Sequence, residues 1–101
     1  APARLSGTEV PSFADTETPL AELKERIAKT IAFIQTIPDS AFDGAEGKTI
    51  TVKAGPRELT FPAVQYLYGY ALPNFYFHLT TAYNILRSNG VEIGKVDFLG
   101  G

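Results

Sequence analysis

His78 is the only imidazole in a chain of 101 residues that contains no cysteine. The absence of cysteine removes thiolate nucleophiles, disulfides, iron–sulfur ligation and cysteine-type zinc sites together. Between Glu58 and Glu92 there is no Asp or Glu. That gap excludes the Glu-x-x-His and His-Glu-x-x-His patterns in which carboxylates and imidazoles share a metal on one helix. A divalent metal at His78 would have to be completed by residues outside this chain. On a helix, Asn74, Thr81, Ala82 and Ile85 share a face with His78. This leaves a second reading, a partly buried structural imidazole bonded to an amide, a hydroxyl or a backbone carbonyl.

Aromatic side chains are the other candidate. All five tyrosines, Tyr66, Tyr68, Tyr70, Tyr76 and Tyr83, fall between Phe61 and Tyr83. They can line a pocket for a small apolar or aromatic ligand, with Asn74, Tyr76, Thr81 and Tyr83 as its contacts, or they can simply form core or interface. Remaining chemistries find no support. Ser6, Ser12, Ser40 and Ser88 lie in loops or at a helix end without a Gly-x-Ser-x-Gly elbow. Gly44, Gly47 and Gly55 flank turns rather than the strand-to-helix loop that cradles phosphate. Glu25 and Lys29 read as an i,i+4 pair on a wet helix face. No cofactor-binding motif is present.

These residues need elements to position them. With 45% hydrophobic and 20% charged side chains, the composition is that of one ordinary globular domain, 1–101. A net charge of -2 argues against nucleic acid as partner, because phosphate neutralisation requires clustered Lys and Arg. No apolar run approaches the ~20 residues that span a bilayer, so no membrane is expected and the location is taken as cytoplasmic. The chain lacks Met and begins at Ala1. Ala3 to Gly7 reads as the last turn of a helix closed by glycine, which favours a fragment over a mature secreted domain.

Thr8 to Glu17 has no periodicity and reads as an ordered crossover loop. Thr18 as cap, Pro19 in the first turn and apolar Leu20, Leu23, Ile27, Ile31, Ile34 and Ile37 predict a helix over 19–37, packed along other helices. Alternation at Ile50, Val52, Leu59 and Phe61 predicts a β-hairpin over 48–61 that leans on helices. Thr60 can cap a helical segment over 62–88, kinked or broken at Pro73, with two pieces and Asn74 as second cap preferred. Phe98 and Leu99 can dock the tail, 91–101. The aromatic segment points all round its axis, and the helices in hand offer too little partner surface. Absent helices or a second subunit are implied, with a homodimer expected.

The segments Ala71-Leu72-Pro73-Asn74-Phe75-Tyr76-Phe77-His78, Thr80-Thr81-Ala82-Tyr83, Ile85-Leu86-Arg87, Asn89-Gly90-Val91, Ile93-Gly94-Lys95 and Asp97-Phe98-Leu99-Gly100 closely resemble a bacterial family of unknown function. That family is similar to the DinB/YfiT-like four-helix bundles. The resemblance extends to Phe13-Ala14-Asp15-Thr16-Glu17 and Ile27-Ala28-Lys29-Thr30. It implies a mainly α, up-down four-helix bundle with an inserted hairpin, two helices ahead of Ala1, and Ala1 to Ser6 as the end of the second. The wider group includes proteins that hold a divalent metal through three His, and thiol-dependent transferases. From this the resemblance implies a metal- or thiol-dependent transferase or hydrolase with His78 in the site. The alternative is a non-catalytic dimeric or ligand-binding bundle with His78 structural.

Overall fold

The computed structural model describes residues 1–101, which fall into two compact units, Ala1–Tyr66 and Leu67–Gly101. The first opens with α1 (Pro2–Ser6), which ends in a Schellman motif. Gly7 sits at φ 78°, its N–H donates to the Arg4 carbonyl, and the Thr8 N–H reaches back to the Ala3 carbonyl at 2.9 Å. Lys48 Nζ donates to the Leu5 carbonyl at 3.2 Å, placing a cation at the negative end of the short helix.

α2 (Leu20–Gln35) begins one residue later than the capping pattern predicts. Thr18 contributes its backbone N–H to Glu22 Oε2 at 3.2 Å, and its hydroxyl caps nothing. The loop before it is tied down by Arg26. Nη1 of Arg26 lies 2.6 Å from Asp15 Oδ1 and 3.0 Å from Glu17 Oε2, with the guanidinium 6.0 Å from the centre of the Phe13 ring. Two short 3-10 turns, Asp39–Phe42 and Ala45–Gly47, lead into the hairpin.

β1 (Thr49–Ala54) and β2 (Arg57–Pro62) pair antiparallel, with Ile50 opposite Phe61 and Val52 opposite Leu59, and turn through Gly55-Pro56. The ladder continues through the Ala63 N–H to the Lys48 carbonyl at 2.9 Å. Extended structure thus runs to Pro62, and Thr60, expected to cap a helix, is strand. α3 (Ala63–Tyr66) follows. The core of this unit is Ala3, Ile37, Ile50, Val52, Ala63 and Tyr66. Ile50 and Val52 of β1 are the hairpin's share of it.

Of the apolar stripe expected over 19–37, only Ile37, which lies beyond the end of α2, is in that core. Leu20, Leu23, Ile27, Ile31 and Ile34 are 44–67% exposed, and no residue of α2 is buried.

The second unit opens with a π-helical turn, Leu67–Ala71, and passes without interruption into α4 (Leu72–Ser88). Pro73 brings no N–H to the carbonyls one turn below, and its ring crowds the one four residues back. Widening the turn relieves both, so a break is not needed. Asn74, expected to cap a second helix, lies inside a continuous one. α4 closes on a second Schellman motif, with Gly90 at φ 94°, its N–H on the Arg87 carbonyl and the Val91 N–H on the Leu86 carbonyl. α5 (Lys95–Phe98) forms in the tail. Phe98 meets Tyr83 edge-on at 5.3 Å, while Leu99 remains 69% exposed, so only the first of the two expected anchors docks. No helix is long and apolar enough to cross a membrane.

Candidate functional site

α4 presents two opposite faces, and the residues singled out from the sequence divide between them. At 100° per residue, Asn74, His78, Thr81, Ala82 and Ile85 fall on one side. Tyr76, Thr80, Tyr83 and Arg87 fall on the other. The four residues expected to line one ligand pocket therefore divide: Asn74 and Thr81 lie on the side of His78, and Tyr76 and Tyr83 lie on the other.

On the His78 face the imidazole is exposed and makes no hydrogen bond within the chain. Its ring meets that of Phe77 edge-on, with ring centres 5.3 Å apart. The structural reading anticipated a partly buried, bonded ring, and within these residues that is not what forms. The polar neighbours are occupied elsewhere. Thr81 Oγ1 donates to the Phe77 carbonyl at 2.7 Å and Asn74 Nδ2 to the Tyr70 carbonyl at 2.8 Å. Both are helix back-bonds, in which a short polar side chain takes a carbonyl one turn earlier.

A metal needs converging donors, and no three His, Asp or Glu side chains of the chain come together. With His78 alone and Thr81 turned to the backbone, the residues present do not fit a divalent metal. No catalytic step follows from them.

The opposite face of α4 carries more structure. Tyr83 donates its hydroxyl to the Gly94 carbonyl at 2.6 Å, and Asp97 Oδ2 accepts the Gly94 N–H at 2.8 Å. These bonds hold the tail against the helix and leave a cavity of about 190 Å³ lined by Thr80, Tyr83, Asn84, Arg87, Lys95 and Phe98. Of these only Tyr83 was singled out from the sequence. Thr80, Asn84 and Arg87 recur at i, i+4 and i+7, a spacing that does mark one helix face. The missing signal was Lys95, which joins them only when the tail folds back.

A larger cavity, about 450 Å³, lies between the 12–17 loop and α2 and is lined by Phe13, Glu17, Glu22, Glu25, Arg26 and Lys29 among others. Its charged groups are mostly committed: Arg26 pairs with Asp15 and Glu17, Lys29 with Glu25 at 3.1 Å, and Glu22 Oε2 accepts the Thr18 N–H. Asp15 first, then Glu17, hold the guanidinium proton more firmly than usual. The cavity is a by-product of a loop clasp more than a receptor with free donors.

Residues 1–99 match the family described as Domain of unknown function (DUF1993). A crystal structure of a DinB family member from Shewanella denitrificans is similar, with a TM-score of 0.81 and 41% identity over 99% of this chain. The alignment covers 57% of that protein, so this chain spans somewhat more than half the length of its structural relative. No curated protein matches the sequence.

Proposed function

This chain belongs to the DUF1993 family and has a DinB-like fold, and from that premise we propose that its residues form part of a four-helix bundle whose interior includes the His78 face. α2 and α4 each contribute a helix. Their uncovered apolar faces are taken up by further helices of the same polypeptide outside these 101 residues. The observation that carries this reading is the α2 stripe, five aliphatic residues at helical spacing and 44–67% exposed. Fully burying such a side chain contributes roughly 1.5–3 kcal/mol, and about half of each is still exposed here, so covering all five would add several kcal/mol, a large share of a small domain's stability. The greater length of the Shewanella relative supports a source for the cover.

In that bundle His78 is an interior polar group beside Asn74 and Thr81, facing helices that could bring it donors. The catalytic version, a metal- or thiol-dependent transferase or hydrolase in the cytoplasm, depends on those donors, because this chain supplies one imidazole and no thiol.

The test is Ile31→Ala in the full natural polypeptide. A covered Ile31 costs about 2–4 kcal/mol on truncation, whereas an exposed one changes stability by less than about 0.5 kcal/mol. The large value in a monomer supports cover by the same chain. The large value accompanied by dissociation of a dimer assigns the cover to a second copy, and the small value sinks the proposal. Elemental analysis of the same protein with and without His78→Ala decides the metal question separately. Near-stoichiometric metal lost in the variant makes His78 a ligand, and no metal in either leaves it a buried polar side chain.

A further inference from the structure

The cavity between α4 and the tail holds four polar side chains that do nothing for the fold. Arg87 and Lys95 enter no ion pair, and Thr80 and Asn84 enter no hydrogen bond through their side chains. This contrasts with Thr81, Tyr83 and Ser88 of the same helix and Asn89 at its C-terminal cap, each of which bonds a backbone carbonyl. A basic residue in the last turn of a helix commonly serves the final carbonyls. Arg87 is not needed for that. The Ile85 carbonyl accepts from Ser88 and Asn89, the Leu86 carbonyl from the Asn89 and Val91 N–H groups, and the Arg87 carbonyl from the Gly90 N–H.

Two cations therefore flank a wall made by the edge-on pair of Tyr83 and Phe98, and no carboxylate lines the space. Asp97, the acidic residue of α5, is committed to the Gly94 N–H. From this arrangement we propose that the cavity binds a small organic carboxylate carrying a single aromatic ring. The guanidinium and ammonium take the carboxylate, Thr80 and Asn84 hydrogen-bond its edge, and the ring packs on Tyr83 and Phe98. Size selects the class. About 190 Å³ lies below the ~300–1,000 Å³ of sites for drug-sized molecules, which leaves room for one ring and its acid group. The site lies on the side of α4 away from His78, so it stands or falls independently of the bundle proposal.

The experiment titrates benzoate into the full natural polypeptide at low salt and follows the Tyr83 and Phe98 ring resonances by NMR. Benzamide serves as the neutral isostere and inorganic phosphate as the ringless anion. Saturable shifts with benzoate, absent with benzamide and weakened roughly tenfold by Arg87→Gln or Lys95→Gln, are expected, since each charge-assisted bond is worth about a decade in affinity. Both variants change exposed side chains without fold partners, and unchanged circular dichroism checks that they fold. Shifts that do not saturate, or that persist undiminished in both variants, overturn the assignment. Phosphate binding as tight as benzoate overturns the aromatic part of it.

Discussion

The side-chain amide of Asn74 donates to the backbone carbonyl of Tyr70 at 2.8 Å, directly across the position of Pro73. Proline at 73 leaves the preceding turn short of a donor, and the π turn over Leu67–Ala71 leaves carbonyls out of ordinary α register. Asn74 gives the Tyr70 carbonyl, in the turn beside Pro73, a side-chain donor. Asn74→Ala should therefore lower stability by about 0.5–1.5 kcal/mol, at the low end because the bond is exposed, with a fall of a few degrees in Tm. Thermal unfolding followed by circular dichroism checks this, and no change would mean that water serves the Tyr70 carbonyl equally well.

Tyr83→Phe isolates one hydroxyl. It removes the 2.6 Å bond to the Gly94 carbonyl but keeps the ring against Phe98. The expected cost is about 1 kcal/mol, concentrated in the tail. Amide hydrogen exchange should quicken over 91–99 and stay unchanged over the hairpin 49–62, which belongs to the other unit.

Gly90→Ala tests the end of α4. At φ 94° a β-carbon is strained even though open space surrounds it, so the substitution should cost about 1–2 kcal/mol without any clash. Loss of the turn would also displace Lys95 from the cavity. A benzoate titration on this variant should weaken along with stability.

Arg26 closes the 12–17 loop onto α2 through Asp15 and Glu17, and the guanidinium is about one-third exposed. Arg26→Gln should open the loop to limited proteolysis between Thr8 and Thr18, and high salt should mimic the variant in the wild-type chain. The guanidinium binds its proton more tightly folded than unfolded. While Asp15 and Glu17 are ionised, its ion pairs therefore support the fold fully below the ordinary arginine range and are lost as pH rises through the raised one. Mild alkali should accordingly leave the loop as resistant as at neutral pH.

Several features were legible in the residues themselves because their causes are local. Isoleucines and leucines at three- and four-residue spacing mark α2, alternation at Ile50, Val52, Leu59 and Phe61 marks the hairpin, and Gly7 and Gly90 mark helix ends. The division of α4 into a His78 face and a Tyr83 face also follows from helical spacing alone. Other features required the folded chain. Whether the α2 stripe is covered depends on what packs against it, and periodicity says only that a face is apolar. The clasp of Arg26 joins residues 9 and 11 positions apart through a loop without periodicity. Pro73 signals a disturbed helix, but the signal does not choose between bend, break and the π turn that forms. Lys95 meets Arg87 because Tyr83 and Phe98 draw the tail back onto α4, and that return is a long-range event to which no single stretch of sequence commits.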